Sequence, residues 1–404
     1  MTPSDREANG QRIARARRRR GLSQAVLAGL VGRSESWLSQ VERGKRGLDS
    51  HSVLVRLAEV LRVDIEEITG SGDEGELARR TYPAASPIEQ AMMGYGTPGS
   101  VRGRESQEVS LHYLRAQATS AYQAYQATRY DAAGHILPGL IRAVEAAARF
   151  AGAASPTAYE VRARIYDTAA ALLSRVGEPF FAWAAADRAI FAAEHSGDPV
   201  IAAASAWRLS YMINGRRHPQ EALELAMTAI AALERTMRTP SPERLSVYGA
   251  LHLAAATAAA ASFDRATTAT LLTAARGIAD RTGEANHMGT AFGPVNVAIH
   301  AISTSLKLGD HRTATQTGEA LDLAALPVGL VGRRTQVSLD LARAYAMTQK
   351  DAAAVNLLLA AERLSPQLVR YDRATRDVLT ELLRREHRPS TPELRPLARR
   401  AGVI

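Results

Sequence analysis

The chain contains no cysteine, which excludes disulfides and thiolate metal sites at the outset. Aromatic residues are scarce, at 5% of 404 residues, while the wider apolar set reaches 46%. That balance points to an Ala- and Leu-rich helical protein with closely spaced helices. Long hydrophobic runs are missing too. The most apolar stretch, Leu251 to Ala261, is too short and too Ala-dominated to span a bilayer. The first twenty residues are charged and hold no apolar segment of the secretory kind, so a soluble, cytoplasmic protein is expected. Catalytic signatures are lacking as well: no nucleophile elbow, phosphate loop, dinucleotide fingerprint or HExxH pair occurs. The ten histidines are scattered, with His112, His135 and His195 standing singly, and no carboxylate pair is placed for acid/base work. No catalytic residue, metal or cofactor is therefore expected, and the chain is not read as an enzyme.

What is present is charge, unevenly placed. The formal net charge is +9. Residues 1–46 carry eleven Arg and Lys against four Asp and Glu, a net +7. Residues 384–404 carry six against two, a net +4, which leaves −2 for the long middle. A basic end on a nearly neutral body is the electrostatic footprint of a nucleic-acid module joined to something else. The C-terminal charge is read as a solvated last helix.

The stretch Leu22 to Arg46 reads as two short helices across a tight turn. Ser23 can cap the first, with Leu22 and Leu27 as a hydrophobic staple, and Gly32 supplies the turn. Ser34 can cap a second helix that ends before Gly44. On that helix Trp37, Leu38 and Val41 share an inner face, leaving Glu35, Ser36, Ser39, Gln40 and Arg43 outside. A polar face of this kind suits base edges in a major groove.

At Leu22-Ser23-Gln24, Leu27-Ala28, Gly32, Ser34-x-Ser36-x-Leu38-Ser39 and Val41-Glu42-Arg43-Gly44-Lys45-Arg46, the stretch resembles the Cro-type, or XRE-family, helix-turn-helix regulators. The resemblance implies that Gln24 reaches a base edge or a phosphate. It implies that Ser34, Glu35, Ser36, Ser39, Gln40 and Arg43 form the DNA-reading face, and that Lys45 and Arg46 hold phosphates. It also implies a buried salt bridge between Arg17 and Glu42. Two positions depart from the family: Arg33 replaces an apolar turn residue, and Trp37 is bulky for its place.

A basic helix over residues 5–20 precedes this stretch, with Ile13 and Ala16 inward. Ser50 can cap a fourth helix carrying Val53, Leu54, Leu57, Ala58 and Leu61, and Val63, Ile65 and Ile68 complete a five-helix domain over residues 1–70. Residues 71–107 are dense in Gly, Pro and Ser and read as a linker, although Tyr82, Met92, Met93 and Tyr95 are apolar enough to dock. From residue 108 to 404 the pattern is one of helix pairs. The turns fall at Tyr130, Gly177, Gly215, Phe263, Gly309 and Lys350, with spacings of 47, 38, 48, 46 and 41 residues. That recurrence predicts an α-solenoid of stacked hairpins. The unit from Leu339 through Ala361 resembles a tetratricopeptide repeat. Pro199, Pro219, Pro242, Pro294 and Pro366 lie near predicted helix starts, and Thr391 to Leu397 reads as a last capping helix.

One polar pair stands within an apolar helix. Asn296 and His300 are four apart and share a face. They either satisfy one another's neighbours across a helix interface or contact a ligand inside the solenoid. Arg208 and Tyr211, with Tyr248 and His252, occupy comparable places on earlier repeats. The expected protein is all-α: a Cro-type helix-turn-helix domain followed by a tetratricopeptide-like solenoid. It binds double-stranded operator DNA as a homodimer, and a peptide or small-molecule effector in the solenoid regulates it. The alternative is a DNA-tethered scaffold whose solenoid binds a partner protein.

Overall fold

The structure is a computed structural model and describes residues 3–48, 51–61, 63, 68, 82–94, 110–150, 155–215, 218–235, 237, 240–387 and 389–404. The described residues contain helices and no strand. Two compact units divide the chain, residues 1–81 and 82–404.

The first unit holds α1 Pro3–Arg19, α2 Gln24–Leu30, α3 Glu35–Glu42 and α4 His51–Leu61. Its core is formed by Ile13, Ala16, Leu27, Ala28, Val31, Leu38, Val41, Val53, Leu57, Ala58, Leu61 and Ile68, one face from each helix. Ser50, Ile65 and most of the fifth predicted helix lie outside the described residues. Gly10 lets two backbones meet: a Cβ there would stand 2.3 Å from the Val41 carbonyl oxygen, so α1 crosses the end of α3 at backbone distance.

The second unit begins with α5 Ala85–Met93, followed by six hairpins. These are α6 Leu111–Gln126 with α7 Tyr130–Phe150, α8 Pro156–Val176 with α9 Pro179–His195, and α10 Pro199–Gly215 with α11 Pro219–Glu234. The next three are α12 Pro242–Ala261 with α13 Arg265–Thr282, α14 Pro294–Lys307 with α15 His311–Glu319, and α16 Val331–Met347 with α17 Asp351–Leu364. α18 Pro366–Tyr371, α19 Arg373–Arg384 and α20 Leu394–Arg400 follow.

All six turns fall where the sequence places them, and one conformation explains why. Each is closed by a backbone bond from residue i to i−5: Arg129 to Ala124, Glu178 to Leu173, His218 to Ile213, Asp264 to Ala259, Asp310 to Ser305 and Lys350 to Tyr345. In five of the six this bond closes a left-handed residue at the helix end. Gly177 and Gly309 adopt that conformation freely, whereas Thr128, Phe263 and Gln349 are non-glycine residues at φ 57°, 60° and 60°. The repeat is thus one of conformation more than of residue type. Pro199, Pro219, Pro242, Pro294 and Pro366 each begin a helix, where their missing N–H costs no bond.

The hairpins do not run on as an open stack. Residues of α5 to α9 and of α16 to α20 share one core, from Tyr82 and Ile88 to Leu379 and Leu397. Tyr82 meets Tyr371 edge-on, with ring centroids 5.5 Å apart. Gln367 Oε1 accepts from the Tyr130 amide at 2.6 Å, and Arg175 lies 3.4 Å from Asp372. The two ends of the unit therefore close on each other. α12 is buried on nearly every side, which accounts for the apolar run from Leu251 to Ala261. No helix among the described residues is long and apolar enough to cross a membrane. The basic C-terminal residues are largely paired: Arg385 with Asp351, Arg395 with Glu386 and Arg400 with Glu362.

The predicted linker differs from the structure at residues 82–93. Tyr82, Ala85, Ile88, Ala91 and Met92 are buried in the second unit, and the Tyr82 hydroxyl donates to the Tyr130 carbonyl. Gly134 makes room for this ring, since a Cβ there would stand 2.2 Å from the Tyr82 hydroxyl and 2.6 Å from the Ala84 Cβ. Gly139, in the same helix, faces open space, with nothing within 4 Å of where a Cβ would stand. Gly134→Ala is expected to overpack the site and cost about 1–3 kcal/mol. Gly139→Ala should instead raise stability by about 0.5–1 kcal/mol. Thermal unfolding of the two variants checks the contrast, and equal effects would contradict the docking of Tyr82.

Candidate DNA-reading face and interior polar site

Ser23 and Ser34 cap α2 and α3, each Oγ accepting from the backbone amide three residues on at 3.2 Å. Gly32 at φ 68° makes the turn between them. Leu38 and Val41 are buried and Trp37 is half-buried against the core. The Arg33 guanidinium lies 5.7 Å from the Trp37 ring centroid, so the two departures from the family pattern meet as a cation–π pair.

Behind α3 stands a polar node. Arg17 Nε donates to Glu42 Oε1 at 2.6 Å and Nη2 to Oε2 at 3.0 Å, with side-chain exposures of 11% and 5%. Arg17 Nη1 also donates to the Leu22 carbonyl at 2.8 Å. The bidentate bond to Glu42 raises the Arg17 guanidinium above its ordinary value, against the opposing effect of burial. Gln24 departs from its expected role here: its Nε2 donates to Glu42 Oε2 at 2.6 Å, so the amide is turned onto the node. A carboxylate with a lone pair left over attracts the nearest amide donor.

In front of α3, Ser34, Glu35, Ser36, Gln40, Arg43, Lys45 and Arg46 are exposed and Ser39 is half-buried. Arg43 donates to Ser39, to its Oγ and to its carbonyl. Gly44, at φ 69°, follows the helix end, and a Cβ there would stand 2.6 Å from the Glu7 Cα.

In the second unit, the structure brings some of the expected ligand contacts together and separates others. His300 lies 3.3 Å from Thr257 Oγ1 and 3.5 Å from the Tyr211 hydroxyl. Burial first, then Arg333 and Lys307, push its imidazole down to about 3, so it is neutral at pH 7. Asn296, one turn earlier, is fully buried and its Oδ1 has no hydrogen-bond partner among the described residues. The Arg208 guanidinium is sandwiched between Tyr122 and Trp207, at 4.5 and 4.8 Å from the ring centroids. Its Nε lies 3.7 Å from Asp167 Oδ2, too far for a hydrogen bond. Asp167 Oδ2 accepts instead from Ser205 at 2.8 Å, and Oδ1 has no partner among the described residues. Burial pushes the Asp167 carboxyl up against the opposing pull of Arg208.

Tyr248 and His252 stand apart from this set. His252 Nδ1 pairs with the Tyr248 carbonyl at 2.9 Å, and the Tyr248 hydroxyl donates to Glu234 at 2.6 Å. α12 is buried all round, so equal helical register does not place its side chains on the same inner face. Tyr122, Asp167 and Arg333 belong to the interior site without any signal in the sequence, because each stands on a different hairpin and outside any local motif.

Among known proteins, residues 10–69 match the family model described as a helix-turn-helix domain. The N-terminal unit is therefore a helix-turn-helix domain. No curated protein matches the chain. The solved structures that resemble it include PlcR of Bacillus thuringiensis in complex with the peptide PapR7 and DNA. That likeness has 13% identity and a TM-score of 0.31, covering 78% of this chain and 95% of that one.

Removing Glu42 would strand Arg17 inside the domain. Glu42→Ala is expected to cost about 3–5 kcal/mol and to lower the thermal midpoint of the helix-turn-helix domain. An unchanged midpoint would mean that the node carries no stability. His300 gives a pH dependence of definite sign. Its folded value is depressed below the ordinary 6.5, so its contribution is complete above pH 6.5 and is lost as pH falls toward about 3. At pH 5 the loss is about 2 kcal/mol. His300→Gln should flatten the decline of stability between pH 7 and pH 5, as read by denaturant unfolding at each pH.

Proposed function

We propose that this chain is a sequence-specific, DNA-binding transcriptional regulator that acts as a homodimer and takes up a peptide or small-molecule effector within its helical repeats. The observation that carries the reading is the polar row Glu35, Ser36 and Gln40, exposed on a capped helix whose inner face is locked into the core. Such a row reads base edges, and Gln40 has the paired donor and acceptor that suit an adenine. Arg43, braced by Ser39, flanks the row, and Lys45 and Arg46 supply phosphate contacts. Gln24 acts through Glu42, holding the node that sets the pitch of α3. Two such helices are needed to read two half-sites, hence the homodimer.

The effector reading is supported by Arg208, Tyr211, Asn296 and His300 in an otherwise Ala-rich interior: Asn296 and His300 are buried, and Arg208 Nε and Asn296 Oδ1 have no partner among the described residues. Unpaired buried polar atoms are costly, and a ligand that pairs them recovers that cost. A second reading, a DNA-tethered scaffold, is favoured by one surface. Phe180, Trp183 and Phe191 are exposed along one face of α9, an apolar patch that suits a protein partner.

The test of base reading uses duplexes selected in vitro by the wild-type protein, alongside random duplexes. Gln40→Ala should weaken binding to the selected duplex by about 1–3 kcal/mol and leave random DNA nearly unaffected. Equal losses on both would remove Gln40 from the base-reading face.

A further inference from the structure

Between α13 and α14 the chain does not turn back directly. Residues 283–293 reach across to α6, in the first hairpin. Asn286 and Gln126 exchange side-chain amide bonds, at 2.8 and 3.2 Å. The Gly289 carbonyl accepts from the Tyr122 hydroxyl at 2.6 Å and from Gln126 Nε2 at 3.0 Å. Arg164, on α8, lies 3.8 Å from the Met288 sulfur. A backbone carbonyl taken by side-chain donors, an amide read by an amide and an apolar side chain held in place are the contacts of peptide recognition.

We propose that Tyr122, Gln126, Arg164, Asp167 and Arg208 form a peptide-binding site whose occupant here is the chain's own Asn286–Gly289 segment. The effector, on this proposal, is a peptide that displaces the segment. The inference rests on the effector reading above. Two observations carry it further than a structural cross-brace. First, the internal occupant leaves the site unsatisfied. Arg208 is nine-tenths buried and its Nε has no acceptor, while Asp167 Oδ1 has no donor, among the described residues. Arg208 lies beside the segment, because it stacks on the same Tyr122 ring that holds Gly289, and Asp167 stands behind it, 3.7 Å from its Nε. A backbone C=O would satisfy the Arg208 Nε and a backbone N–H the Asp167 Oδ1. A peptide longer than four residues has such groups to spare. Second, the segment is held in a costly backbone: Met288 and Ala291 have φ of 52° and 55°, the left-handed region that non-glycine residues avoid. A ligand not tethered at both ends is free of that constraint. The ligand class is a peptide with an Asn or Gln amide, then an apolar side chain and a glycine.

The test exploits Gly289, where a Cβ would stand 2.1 Å from Tyr122 Cε1. Gly289→Ala should expel the segment and leave the site itself intact. The probe is a fluorescein-labelled hexapeptide, Ala-Asn-His-Met-Gly-Thr, copying residues 285–290 and titrated with full-length protein by anisotropy. It should bind Gly289→Ala at least ten-fold more tightly than wild type, because the tethered competitor is gone. Adding Gln126→Ala should abolish that binding, and a peptide with alanine in place of glycine should bind neither protein. Equal affinity for wild type and a folded Gly289→Ala protein, or binding that survives loss of Gln126, overturns the proposal. If Gly289→Ala unfolds, hydrogen exchange on the wild type decides. The Ala291 and Phe292 amides donate to Asn286 Oδ1 and Thr290 Oγ1, and should exchange faster with saturating peptide while α13 is unchanged. Unaltered exchange overturns the proposal. DNA affinity is measured in the same samples: displacement without any change in DNA binding retires the effector reading and leaves the peptide site standing.

Discussion

A charge or polar atom buried without a partner costs several kcal/mol, and both units are arranged around that cost. In the helix-turn-helix domain, Arg17, Glu42 and Gln24 close a node in which each answers another. The node ties α1, α2 and the end of α3 together, so the outward row of α3 is positioned from behind. In the second unit the main chain is satisfied within helices, and side chains do the remaining work between them. Ser205 answers Asp167, Ser303 and Gln336 answer Asp340, and Thr290 answers Ser246. Alanine makes this possible. It lets helices approach closely enough for short hydroxyl side chains to reach across.

The arrangement of helices was largely legible because its signals are local. Proline at helix starts, serine caps and the left-handed helix end each act within a few residues, so the six hairpin turns could be read in order. The closure of the repeats was not legible in the same way. Tyr82 with Gly134 and Tyr130 with Gln367 are contacts between distant segments, as is Gly10 with the end of α3 in the first unit. A glycine that admits a remote ring looks, in sequence, like any other helical glycine. The segment over residues 82–93 read as linker for a related reason: its buried residues face a surface assembled from both ends of the unit.

Within the candidate sites the division is similar. The Arg17 and Glu42 pairing is implied by the resemblance to the Cro-type regulators, and the structure places the two side chains in contact. Gln24 was harder, because a glutamine at a helix start serves equally well facing outward or turned onto a neighbouring carboxylate. Only the leftover acceptor on Glu42 decides between them. In the repeats, Tyr211 and His300 come together while Tyr248 and His252 pair separately. Register along a helix predicts a shared face only when the helix has one inner face. α12, enclosed on nearly every side, has none that is distinct.

A sensor needs two states of similar free energy, and a ligand shifts them only by its differential affinity. On the proposed reading, an interior filled by the chain's own segment meets the first requirement in a simple way. The segment binds with the high effective concentration of a tether, which keeps the unliganded state populated. Its left-handed residues and the unpaired Arg208 and Asp167 atoms keep that state from being too stable. Displacement then exchanges one set of contacts for another while the core stays intact. Because the segment joins α6 to the turn before α14, its release removes a direct link between the first hairpin and the fifth. Any coupling to DNA must be reciprocal, so operator binding would change peptide affinity by the same factor that peptide changes operator affinity.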